Sequence, residues 1–94
     1  MLNAKEAVGA AETIARTLYS EVELKGLRVE EIDSTDDGKK WLITLGWPEN
    51  HVRQVVSSTF GLSNGGIYAV PRVYKQFTID AATGAMISMK DRNL

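Results

Sequence analysis

Ninety-four residues, 44% hydrophobic and 24% charged, make one domain with room for a single modest core. The chain has no cysteine, which excludes disulfides and thiolate chemistry, and no apolar run as long as a membrane span. The net charge of -1 hides an asymmetry of ten acids against six bases over residues 1–50 and two against five over 51–94. That balance, with an acidic pI, argues against a nucleic-acid surface.

In chain order, Asn3 followed by Glu6 is the spacing of a capping box and predicts a helix start. Ala4, Ala7, Val8, Ala11, Ile14, Ala15 and Leu18 recur at three- and four-residue spacing, so the helix is amphipathic and runs over about 3–19. Its apolar stripe is mostly alanine, which lets a helix lie close on a sheet. Residues 27–33 predict a first strand, and Asp37 with Gly38 a hairpin turn. Residues 41–47 predict a second strand with Trp41, Ile43, Leu45 and Trp47 on its core face. Pro48 is expected to end the pairing because it lacks an N–H.

The segment 49–71 mixes a strand-like stretch, His51 to Val56, with serine, asparagine and glycine, and predicts a loop whose least ordered part is 57–66. Residues 72–80 predict a strand with Val73, Phe77 and Ile79 on one face and Tyr74, Gln76 and Thr78 on the other. A short turn at 80–84 and a last strand at 85–90 follow, with Met86 and Met89 expected between sheet and helix. The fold class is α+β, one N-terminal helix packed on a curved antiparallel sheet of about four strands, and residues 1–94 form one domain.

Two families share this order of elements. The ending Thr78, Ile79, Asp80, then Thr83, Gly84 and an apolar strand to Ile87 resembles the PepSY domain. The Trp41 to Pro48 strand, the Gly65–Gly66 pair and the hairpin from Lys75 to Met89 resemble a small immunity-protein group with the nuclear-transport-factor (NTF2) fold. Both resemblances imply a cystatin-like architecture and a non-catalytic binding or inhibitory role.

Gln54 to Ser58 is similar to the Gln-x-Val-x-Gly loop of cystatin inhibitors, but Ser58 replaces the glycine and an ordinary strand or loop is the reading taken. Asp33 to Gly38 is similar to the start of an EF-hand loop, but Thr44 stands where a bidentate glutamate is needed, so a hairpin turn is preferred. His51 is the sole histidine and reads as an exposed loop residue rather than a general base. No serine stands in a nucleophile elbow, and 61–66 lacks the lysine of a phosphate loop.

The expectation is therefore a small protein-binding module, an inhibitor, immunity or regulatory accessory protein, with no catalytic, metal or cofactor-binding residues. Arg53, Arg72, Tyr74, Trp47 and His51 are the candidate partner-binding residues, since Tyr, Trp and Arg are enriched at binding hot spots. The alternative is a small-ligand-binding or enzymatic domain with a cavity in the curved sheet. The partner is an unidentified protein, with homodimerisation through a sheet edge or the 49–71 loop as a further expectation, and with neither nucleic acid nor membrane. Met1 to Glu6 lacks a charged-then-apolar leader, so the expected compartment is the cytoplasm, with a piece of a longer secreted protein as the alternative.

Overall fold

The computed structural model describes residues 1–49 and 71–94. It contains one helix, α1 (Ala4–Leu18), and four strands, β1 (Arg28–Ser34), β2 (Lys40–Pro48), β3 (Arg72–Asp80) and β4 (Met86–Asp91). The strands form one open antiparallel sheet in the order β1-β2-β3-β4, each beside its neighbour in sequence. The helix lies on one face of it, so the fold is α+β, as the switch from helical to alternating periodicity predicts.

The capping box starts the helix. Asn3 Oδ1 accepts from the Glu6 N–H at 2.8 Å, and Glu6 Oε1 accepts from the Asn3 N–H at 2.9 Å. Two further bonds fix the chain entry to the sheet: the Leu2 N–H to the Ala81 carbonyl at 2.7 Å, and Trp41 Nε1 to the Leu2 carbonyl at 3.0 Å. Ala7, Ala11 and Ala15 are wholly buried against the sheet. Ile14 is half-buried beside them, and Leu18, expected on the same stripe, is exposed. The helix ends at Tyr19. A second reciprocal pair, Ser20 with Glu23, then organises a run of turns that buries Leu24 and closes at Gly26 with φ of 86°.

Alternation assigns the sheet faces. Ile43, Leu45 and Trp47 of β2 and Phe77 and Ile79 of β3 are buried under the helix, with Trp41 and Val73 packed at the margin. The predicted core face of β2 is therefore the observed one. Both predicted hairpin turns form. Gly38 takes φ of 70°, and Gly84 takes φ of 80° while its N–H bonds to the Asp80 carbonyl.

Two expectations are corrected. Pro48 does not end the pairing: it stands opposite Arg72, and the Glu49 N–H donates to the Pro71 carbonyl at 3.0 Å. The ladder passes the missing donor because the next residue supplies one. Met86 does not fill the core: it opens the edge strand β4 next to the bulge and is exposed, and of the two methionines only Met89 packs against the core. Pro48 and Pro71 flank the inner pair β2–β3, so neither proline lies on a sheet edge. The edges, β1 and β4, each carry a bulge instead, at Glu30 and at Ile87.

Candidate functional site

The sheet face away from the helix carries most of the ordered charge. The bulge in β1 creates it. Val29 pairs with Leu45 and Glu31 with Thr44, so Glu30 is the extra residue and two successive glutamates serve the same face. Glu30 lies across Gly46, where a Cβ would stand 2.6 Å from Glu30 Oε2 and 2.9 Å from Tyr74 Cδ1. The close approach of a carboxylate and a phenol ring to the β2 backbone is what Gly46 permits.

Glu30 Oε2 accepts from Arg28 Nε at 2.8 Å and from Arg72 Nη2 at 3.2 Å. Glu30 holds the Arg28 guanidinium above its ordinary pKa, through its hydrogen bond first and its charge second. Arg72 is mostly buried, and its Nε has no hydrogen-bond partner among the described residues. The neighbouring Glu31 receives Arg92 in a two-point contact, Nε to Oε1 at 3.0 Å and Nη2 to Oε2 at 3.3 Å. Its Oε1 also accepts from the hydroxyl of Thr44 at 3.3 Å, and Thr44 is wholly buried although it points away from the helix.

Beside this lattice the sheet has an open corner. β4 ends at Asp91, opposite Lys75, while β3 runs on to Arg72. An open cleft of about 470 Å³ occupies the corner, lined by Glu49, Arg72, Tyr74, Lys75, Asp91 and Arg92 among others. Lys75 and Asp91 form an ion pair across it, and the hydrogen bond to Asp91 raises the Lys75 ammonium above its ordinary pKa.

The structure treats the predicted partner-binding residues differently. Arg72 and Tyr74 come together, on the same face and at the same cleft. Trp47 is a correction: it lies on the odd-numbered, helix-facing side of β2 and is buried, its ring 5.0 Å from that of Tyr19 at 57°. It belongs to the core and offers no surface. His51 and Arg53 lie outside the described residues, as do Gln54 to Ser58 and the 57–66 stretch. Of the residues that a nucleic-acid surface would align with Tyr74, Arg72 shares its face, Lys75 alternates to the helix side of β3, and Arg53 lies outside the described residues.

Sequence reading missed Glu30, Glu31, Gly46 and Arg92 as parts of this surface. Gly46 carried a signal, a glycine inside an apolar strand, which marks a close backbone approach. Among the described residues, no group of three or more His, Cys, Asp or Glu side chains is placed to hold a metal ion, and no helix is long and apolar enough to cross a membrane. Compared with protein-family models, curated proteins and solved structures, the chain has no match, so its likeness to PepSY and immunity domains rests on the short motifs alone.

Proposed function

We propose that this chain is a non-catalytic protein-binding module, of the inhibitor, immunity or regulatory accessory kind, that meets its partner on the sheet face opposite the helix. One observation carries the reading. That face presents Arg28, Arg72 and Arg92 in defined pairings with Glu30 and Glu31, next to Tyr74 and an open polar cleft. Charged groups held by ion pairs, with an aromatic among them, give a partner fixed complementarity at little ordering cost. The cytoplasm is the proposed compartment, which fractionation of the source cell tests.

A small-ligand carrier is the second reading, because the cleft volume is within the range of ligand pockets. Its polar, open character favours a macromolecular partner, since ligand pockets enclose most of the ligand in apolar walls.

The test is affinity capture from source-cell lysate with the wild-type chain, followed by titration calorimetry with the purified captured protein. Tyr74→Ala and Arg72→Gln are expected to weaken binding about tenfold or more each, and a charge change at Lys39, on the hairpin turn, to leave it unchanged. A partner whose affinity ignores both changes overturns the assignment of this face.

A further inference from the structure

The segment after β4 is pinned to the sheet mainly by charge. The Arg92 N–H continues the ladder to the Tyr74 carbonyl at 3.0 Å. The Arg92 guanidinium then reaches across the face to Glu31 on the opposite edge strand, and Asp91 pairs with Lys75. Residues 91–94 thereby form one wall of the cleft. No large apolar side chain anchors this wall: Asp91, Arg92 and Asn93 are polar, and Leu94 is exposed. The Arg92 and Glu31 side chains are 41% and 40% exposed, so salt and competing charges reach them.

We infer that residues 91–94 are an ionic strap on the cleft, held closed by the Arg92–Glu31 pair and opened by loss of that pair. Opening frees the Arg92 guanidinium, uncouples the two edge strands and widens the corner beside Arg72 and Tyr74. What the opening serves rests on the reading of this face as a recognition surface. The strap itself does not depend on that reading, and the experiment reads the strap alone.

The Arg92 amide is a direct reporter, because its hydrogen bond to Tyr74 breaks when the strap lifts. Its hydrogen exchange is measured by NMR, with the Phe77 amide, on an inner strand, as the check on global unfolding. Glu31→Gln and Arg92→Gln should each speed Arg92 amide exchange about two- to fivefold relative to Phe77, the range set by an exposed ion pair. Raising salt from about 0.05 M to about 1 M should do the same in the wild type and less in the variants, which keep only the Lys75–Asp91 pair for salt to screen. The charge-reversed pair Glu31→Arg with Arg92→Glu should restore protection. Arg92 amide protection that is unmoved by either single change, or unrestored by the reversed pair, overturns the strap and leaves the partner-binding proposal standing.

Discussion

Gly46→Ala is the most discriminating single change in this fold. The new methyl would stand 2.6 Å from Glu30 Oε2, 3.0 Å from Glu30 Cγ and 2.9 Å from Tyr74 Cδ1. Ordinary carbon contacts lie near 3.5–4.0 Å, so each neighbour must retreat by roughly 1 Å. The Oε2 atom ends a flexible side chain, but Cγ and the Tyr74 ring do not move alone. Overpacking of this kind costs about 1–3 kcal/mol. Glu30 moving away also loosens its bond to the mostly buried Arg72, an interaction worth about 1.5–3 kcal/mol in full and less here because the site keeps some solvent access. Against this, replacing glycine in a strand returns about 0.5–1 kcal/mol of chain entropy. The net expectation is a destabilisation of about 1–3 kcal/mol, or very roughly 4–20 °C in Tm for a domain of this size. Urea unfolding followed by tryptophan fluorescence measures it as a lower midpoint at unchanged slope. Gly9→Ala is the control, since nothing lies within 4 Å of its Cβ position and the helix should gain about 0.5–1 kcal/mol. A Gly46→Ala chain as stable as wild type would refute the close approach of Glu30 and Tyr74, and with it the geometry of the charged face.

Other expectations follow from burial and titration. Phe77→Ala should cost about 3–5 kcal/mol, and Ile14→Ala clearly less because Ile14 is half-buried, with thermal unfolding as the measure. Asn3→Ala should cost about 1 kcal/mol by removing the cap that Glu6 reciprocates, read as a fall in helical circular dichroism and in Tm. Asp80 titrates below its ordinary value because the Thr83 and Ala82 amides donate to it, and Asp37 does so through the Thr35 hydroxyl and the Lys39 amide. Their stabilisation is therefore present above the ordinary carboxylate value and is lost as pH falls through the lower folded values. Urea midpoints should drop from about pH 4 downward. Asp80→Asn should flatten that drop, and an unchanged acid limb in the variant counts against the turn geometry.

The helix, the four strands and both hairpin turns were legible because each rests on local signals: the Asn3–Glu6 spacing, the alanine stripe, the alternation around Ile43 and Phe77, and the glycines at 38 and 84. The bulges left a subtler trace. Val29 and Ile32 both pair with helix-facing residues, as do Met86 and Met89. In a regular strand residues three apart face opposite ways, so a spacing of three on one face requires one extra residue between them. Strict alternation hid that, and with it the joint placement of Glu30 and Glu31. Leu24 escaped because one buried residue in a run of turns has no periodicity. The Arg92–Glu31 contact had no trace at all, since 61 positions separate its partners and only the order of strands brings them together. Trp47 reads from the sequence both as core and as partner surface, and its buried, helix-facing position decides for the core.

The alanine stripe makes sequence drift in α1 one-sided. At the wholly buried Ala7, Ala11 and Ala15 a larger side chain has to push against the sheet, at a cost of about 1–3 kcal/mol, and only glycine is smaller. Glycine weakens the helix by about 1 kcal/mol at each site. The separation of helix and sheet is thus fixed from both directions by three carbon atoms, and compensation for an enlargement has to come from the sheet residues opposite. Pairs of changes, one on the stripe and one among Ile43, Leu45 and Phe77, are the route by which the interface can be rebuilt at least cost, since a single enlargement on the stripe is uncompensated.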